Sequence, residues 1–310
     1  MSKEFSSKLN ARFWYFIYTI LGHISTKKLV ELRYKRRFGR KLDWENPQTL
    51  NEKILWLKQY TDTTEWTRLA DKYRVREFVE ERGLSNILVE LYGKWDRPED
   101  IEWDKLPDQL IIKLNNGSGD VFICKDKNCF DKDDVTKKLK LLLSKGFGVT
   151  TAEPHYRAIK PCIIAEELLD NTLQCIKSTS LVDFKIWCLN GEPVSFWVCH
   201  NRNRKSVEVA NYDINWKYLP EVANNDGYYE SSKTIMKKPA SFDEMIRVAR
   251  QLSKGFPAVR VDLYEVNGKV YFGEMTFSSN FGLMEFYTDE YQKELGEKLD
   301  ISDLMNKKRQ

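Results

Sequence analysis

The stretch from Val259 to Gly282, VRVDLYEVNGKVYFGEMTFSSNFG, limits what this chain can fold into more than any other. Two runs of β-branched and aromatic residues flank Asn267-Gly268, so the segment reads as a β-hairpin. Side chains alternate along a strand, so Arg260 and Asp262 share one face, and Phe272, Glu274 and Thr276 share a face of the return strand. Loop parity decides whether the two sets meet. A two-residue Asn-Gly turn pairs Val266 with Lys269 and sends Asp262 and Glu274 to opposite faces. A three-residue loop, Val266-Asn267-Gly268 with Gly268 left-handed, pairs Glu265 with Lys269. It sets Asp262 across from Phe272 and Arg260 across from Glu274, so that all four share a face. The three-residue loop is the expectation, because it gathers two carboxylates and a guanidinium. Such a trio suits metal-assisted phosphoryl transfer: Mg2+ prefers carboxylate oxygens, and the arginine fork fits a developing oxyanion. The competing reading is an ordinary hairpin with a solvated polar face.

The chain has 310 residues, 42% hydrophobic and 31% charged. That supports one large domain or two to three subdomains with a proper core. A net charge of +4 is too mild to argue for nucleic acid, and no nucleic-acid partner is expected. The six cysteines form no CxxC pair and the three histidines are scattered, which argues against zinc. Cysteines on apolar, strand-like stretches suggest a reducing compartment and a cytoplasmic location. The aromatic run Phe13–Leu21 lacks a following cleavage site and is too short to span a bilayer. A basic cluster follows it, with Lys27, Lys28, Arg33, Lys35, Arg36, Arg37, Arg40 and Lys41. Residues 12–41 therefore suit peripheral contact with an anionic membrane face, or a docked helix with a solvated basic side.

Asn46-Pro47 predicts a helix start, with Leu50, Ile54 and Leu57 at helical spacing. Asp71–Arg82 reads as a second helix stopped by Gly83. Leu110–Leu114 and Val121–Cys124 read as strands around the polar, glycine-bearing segment 115–120. Asp133–Leu143 reads as a helix, and Cys162–Ala165 as a strand running into Glu166-Glu167-Leu168-Leu169-Asp170. Val182–Leu189 and Val194–Cys199 form a hairpin around Asn190-Gly191. Residues 200–240 look irregular, and Phe242–Leu252 is an amphipathic helix.

Three further patterns carry chemistry. Lys113 precedes Asn116-Gly117-Ser118-Gly119, where glycines let backbone N–H groups approach phosphate oxygens. It is not a Walker A loop, because the lysine precedes the glycines; a hairpin turn with a surface lysine is the plainer reading. Ile163–Asp170 ends an apolar strand in acids and exposed backbone able to meet an adenine amino group and ribose hydroxyls, or simply solvent. Asp183, Lys185 and Trp187 share a face, where Lys185 is placed for a phosphate or for a structural ion pair.

The order of these signals resembles the ATP-grasp superfamily, and more narrowly its teichuronopeptide-biosynthesis type. The phrases carrying the resemblance are RYKRRFGRKLDWENPQTLNEKILWLKQY, LADKYRVREFV, LPDQLIIKLNNGSGD, IIAEELL, DFKIWCLNGEP and VRVDLYEVNGKVYFGEMTF, spanning roughly residues 33 to 285. The resemblance implies an α+β fold, with two α+β subdomains clamping a nucleotide behind a helical N-terminal extension. It implies an extension over residues 1–50, an N-terminal subdomain over 51–108, a nucleotide lid over 109–170 and a C-terminal subdomain over 171–310. Lys72, Lys113, Gly117, Ser118, Gly119 and Lys185 would face ATP phosphates. Glu166, Glu167 and Leu169 would line the adenine pocket. Asp262 and Glu274 would bind Mg2+, and Arg260 would stabilise the acyl-phosphate and tetrahedral states. Where many family members have Asn two residues after the metal Glu, this chain has Thr276, and Asn280 would substitute. Where the narrower family often has His before Gly117, this chain has Asn116. The implied activity is ATP-dependent carboxylate–amine ligation in surface-polysaccharide biosynthesis, joining an amine or amino acid to a sugar-linked carboxylate. A polysaccharide kinase or glycosyltransferase, and a non-catalytic membrane scaffold, are the alternatives.

Overall fold

The computed structural model describes residues 3–117, 119–225 and 227–309, with backbone alone for residues 3–9. The chain opens on two helices, α1 (Lys3–Ile24) and α2 (Thr26–Phe38), then α3 (Leu50–Tyr60), α4 (Thr64–Ala70) and α5 (Val75–Glu81). The expected start of α3 at Asn46-Pro47 moves to Leu50, because Thr49 and Glu52 form a reciprocal capping box there. The expected helix at Asp71 begins only at Val75. Asp71 instead makes a turn, its carboxylate accepting the N–H groups of Tyr73 and Arg74.

A small antiparallel sheet follows, built from β1 (Leu91–Trp95), β2 (Leu110–Leu114), β3 (Val121–Cys124) and β4 (Ile163–Glu167) in the order β1-β4-β2-β3. Helix α6 (Lys132–Ser144) covers one face through Val135 and Leu139, which pack on Leu110, Ile112 and Ile163. A short helix, α7 (Pro154–Arg157), leads into β4. The larger sheet holds β5 (Asp183–Leu189), β6 (Glu192–His200), β7 (Val207–Asp213), β8 (Tyr229–Ser231), β9 (Ala258–Val266) and β10 (Lys269–Thr276). Its order is β10-β9-β5-β6-β7-β8. Helix α8 (Phe242–Ser253) packs on this sheet, and α9 (Asp289–Lys298) and α10 (Ser302–Arg309) close the described chain.

Two cores result, one under each sheet, and their boundary differs from the expected one. β1 lies before residue 109 yet pairs with β4, while α3–α5 pack into the core of the large sheet. The division therefore runs between the two sheets rather than at residues 51 and 109. The stretch 200–240, expected to be irregular, carries β7 and β8. β7 is buried on both sides, including polar Asn211, so it shows no alternation to read.

The hairpin of β9 and β10 overturns the expected loop and keeps its geometric result. Asn267 and Gly268 form a two-residue turn at φ 52° and 76°, and Val266 pairs with Lys269. An Asn-Gly pair satisfies such a turn without a third residue. Parity is then reversed by a bulge between Phe272 and Glu274. Asp262 pairs with Glu274 and Arg260 with Thr276, while Phe272 sits across from Leu263 rather than Asp262. Both carboxylates thus share one face. The extra residue is Gly273, where a Cβ would lie 2.9 Å from the Asp262 carbonyl oxygen and 3.0 Å from the Tyr264 ring.

The two glycines should separate in denaturant. Gly268 has open space around it, so Gly268→Ala meets only the left-handed backbone penalty of about 1 kcal/mol. Gly273→Ala forces backbone apart and should cost more, about 1–3 kcal/mol. Urea unfolding of the two variants checks the order; equal losses would remove the bulge from its place in the fold.

Candidate active site

Three neighbouring strands carry the polar face. Register sets Lys185 of β5 beside Asp262 of β9, and Asp262 beside Glu274 of β10. The next row is Trp187, Arg260 and Thr276. Arg260 grips Asp262 with two bonds, Nε to Oδ1 and Nη2 to Oδ2, each 2.7 Å. Its Nη1 donates to Ser279 Oγ at 2.5 Å, and Nη2 also reaches Thr276 Oγ1 at 3.2 Å and Glu274 Oε1 at 3.5 Å. Lys185 bonds Asp262 and lies 2.6 Å from Asp183.

Asp262 and Glu274 differ in access. The Asp262 side chain is 1% exposed, and cations cover both its oxygens. The Glu274 side chain is 33% exposed, with Lys72 Nζ 3.4 Å from Oε2. Burial alone would raise the Glu274 carboxyl, but Lys72, Lys185 and Arg260 outweigh it and hold the group well below the usual carboxylate range. Burial would likewise lower Lys185, and Asp183 and Asp262 reverse it and keep the ammonium charged. Two adjacent carboxylates with a hydroxyl beside them are a ligand set suited to a hard divalent cation whose remaining positions are filled by phosphate and water. Thr276 donates to Glu274 Oε1 at 3.2 Å and so belongs to this group. Asn280 does not join it: its side-chain amide donates to the Leu283 carbonyl.

Lys72 ties this face to the glycine segment, donating to the Gly117 carbonyl at 2.8 Å. The segment is anchored by Asn115, whose side chain accepts from Cys162 N–H and donates to the Lys160 carbonyl. Gly119 is left-handed at φ 86°, and Ser118 lies outside the described residues. Lys113 is ion-paired with Glu166 at 2.5 Å, and Arg76, at the start of α5, approaches the same carboxylate at 3.6 Å.

Between the sheets lies a cleft of about 610 Å3. Lys113, Glu166, Glu167 and Leu169 line it on one side, Tyr264 and Phe272 on the other. Val121 and Ile123 also line it and stand exposed on edge strand β3. Apolar side chains aimed from a strand into a cleft suit a flat heterocycle. Sequence reading missed them, and Arg76 as well. The available signal was the run VFIC directly after a glycine segment.

Behind Ser279 lies a second buried polar group. Lys58 donates to the Phe281 carbonyl at 2.8 Å, and Ser278 Oγ donates to Glu153 at 2.6 Å and lies 3.3 Å from His155 Nε2. Burial pushes Lys58 down to about 8 and raises Glu153. Burial, helped by Lys58, pushes the His155 imidazole down to about 3.

A nucleotide-sized cleft between two sheets, with lysines from both sides and paired acids on a bulged hairpin, defines an ATP-grasp protein. The chain belongs to the TupA-like ATPgrasp family, whose model matches residues 52–300. No curated protein matches it. Among solved structures it is similar to D-alanine–D-alanine ligase of Bacillus anthracis at 16% identity and TM-score 0.41, over 80% of this chain and 64% of that one. It is similar to the Helicobacter pylori enzyme of the same name at 10% identity and TM-score 0.42, over 82% and 68%. Phosphoribosylamine–glycine ligase of Thermotoga maritima matches at 11% and 0.39, over 68% and 48%. The chain thus spans under two thirds of the length of the first of these.

His155 gives a pH test of the buried group. Its folded pKa lies below its unfolded value of 6.5, so the unfolded chain binds more protons between about 3 and 6.5. Stability should fall through that window as pH drops, by up to about 1.4 kcal/mol per pH unit. Urea unfolding at pH 7 and pH 5 should show His155→Phe losing less than wild type; equal losses would place the acid sensitivity elsewhere.

Proposed function

We propose that this protein is an ATP-dependent carboxylate–amine ligase acting through an acyl phosphate. The observation that carries this reading is the cross-strand pair Asp262 and Glu274, with Arg260, Lys185 and Lys72 converging on it. ATP would lie in the cleft with its base between Val121, Ile123, Leu169 and Phe272, and its phosphates toward Lys113, Lys72 and Gly117–Gly119. Asp262 and Glu274, with Thr276 beside them, would hold Mg2+, which when bound neutralises phosphate charge. A substrate carboxylate oxygen attacks the γ-phosphorus and ADP leaves. The amine then attacks the acyl carbon, loses a proton, and inorganic phosphate departs. Lys72 and Lys185 offset charge on the transferring group, and Arg260 faces the tetrahedral oxyanion. The family resemblance favours a sugar-linked carboxylate of a surface polysaccharide and an amine or amino acid.

Glu274→Gln is the sharper test of the metal site. It removes a partly exposed ligand and should lower ADP release roughly a hundredfold or more with the fold intact. Asp262→Asn should also lose activity, but it strands Arg260 and Lys185 and should cost about 3–5 kcal/mol of stability. Wild-type turnover in Glu274→Gln would sink the assignment. ADP release with a phosphorylated sugar and no amine requirement would make the protein a kinase instead.

Peripheral membrane contact is proposed for α1. Phe13, Phe16, Ile20 and Ile24 stand exposed at helical spacing on one stripe, with Lys27 and Lys28 just beyond. No helix among the described residues is long and apolar enough to cross a membrane. Phe13→Ser with Phe16→Ser should cut sedimentation with phosphatidylglycerol vesicles severalfold. Undiminished sedimentation would leave α1 as a docked helix only.

A further inference from the structure

Arg33, Arg36 and Arg37 follow one another at i, i+3 and i+4 on α2, so they share a face. They line a cavity of about 190 Å3, whose opposite wall is Asn280, Phe281 and Leu283. Among the described residues, only Arg37 of the three has a carboxylate partner, Glu285 at 2.7 Å. Arg36 lies 3.4 Å over the Trp14 ring. Arg33 sits between the rings of Tyr18 and Phe281, at 4.8 and 5.2 Å. It gives one bond to the Thr150 carbonyl at 2.9 Å, while its buried Nε has no partner. Burial without a paired acid pushes the Arg33 guanidinium down. A guanidinium so placed carries a desolvation cost that an oxyanion would offset.

The cavity adjoins the candidate active site. One short turn reaches both: Ser279 receives Arg260, and Phe281 stacks against Arg33. They are two positions apart, at most about 7 Å of backbone. Asn280 and Phe281 are both left-handed, at φ 45° and 65°, and Lys58 bonds the Phe281 carbonyl. A second cavity of about 490 Å3 shares Tyr18, Arg33 and Arg36 and continues past Trp14 and Tyr15. Trp14 and Tyr18 lie on a different face of α1 from the exposed stripe, so this opening is not the one turned toward a membrane.

The geometry points to a second anion site, in which Arg33, Arg36 and Arg37 bind a carboxylate or phosphate carried by the substrate, apart from its reacting group. The flat rings of Tyr18, Trp14 and Tyr15 offer surfaces for a sugar ring bearing that anion. Arg33, Arg36 and Arg37 precede the part of the chain matched by the family model, while Asn280, Phe281 and Leu283 across the cavity lie within it. That the occupant is a substrate rests on the ligase reading; that an anion binds does not.

The test uses the full chain saturated with Mg2+ and a non-hydrolysable ATP analogue, which fills the nucleotide cleft. Inorganic phosphate, glucuronic acid and glucose are then titrated by calorimetry. Phosphate or glucuronate should bind and glucose should not. Arg36→Gln, at an exposed position, and Arg33→Gln should each weaken anion binding at least about tenfold and leave analogue affinity unchanged. No anion binding to the loaded protein, or binding indifferent to both substitutions, overturns the site. Displacement of bound phosphate by phosphatidylglycerol vesicles would assign the arginines to lipid and overturn the substrate reading. If the analogue itself fails to bind, the ligase reading falls, and phosphate titrated into the free protein, with and without Arg36→Gln, still decides the anion site.

Discussion

The buried contact between Asp262 and two cations organises the large sheet. An ionised carboxylate with 1% exposure is tolerated only because Arg260 meets both oxygens and Lys185 shares one. Those three residues sit on two adjacent strands, so the register of β5 against β9 is set by charge as well as by packing. The same arginine passes through Ser279 to the turn that follows β10, and through Thr276 and Glu274 to β10 itself. The opposite face of these strands is apolar, with Phe184, Ile186, Val261 and Leu263 buried. Sliding β9 by one residue would put Asp262 among those side chains, a far larger penalty than the loss of a few hydrogen bonds.

Much of this was readable from the residues. Period-two alternation placed Arg260 with Asp262 and Asp183 with Lys185, and turn chemistry placed Asn190-Gly191 and Asn267-Gly268. The loop at Asn267 was misread because parity was assigned to the turn, where one glycine was visible, and not to the bulge at Gly273. That bulge is specified by a close approach of the Asp262 carbonyl and the Tyr264 ring, which is a tertiary fact. β7 was missed because a strand buried on both faces has no polar side to mark it. The subdomain boundary was drawn by position along the chain, yet β1 pairs with a strand about seventy residues later. Arg76 was passed over because its partner Glu166 is more distant still in sequence.

The turn at residues 278–282 joins parts of the molecule that the sheet alone would leave separate. Its backbone adopts left-handed values at Asn280 and Phe281 that ordinary residues disfavour. It is held there by Lys58 from α3, Arg260 from β9 and the Arg33 guanidinium from α2. The N-terminal helices are therefore wired to the same turn as the acid pair, and their sequence bears on the site without touching Asp262 or Glu274.

The lysines and arginine around Asp262 and Glu274 also act as placeholders. Lys72, Lys185 and Arg260 are committed to Asp183, Asp262 and Glu274, and Arg202 also approaches Asp183 at 3.6 Å. A cation bound at the acids would have to displace ammonium and guanidinium groups, and those freed groups would then be available to the phosphates that accompany it. On the ligase reading, loading the cleft is an exchange of counterions inside the protein rather than the filling of a charged vacancy. Metal without nucleotide would leave the displaced lysines unsatisfied, and nucleotide without metal would meet lysines still committed to carboxylates. On that reading the two arrivals would be coupled through the chain's own cations.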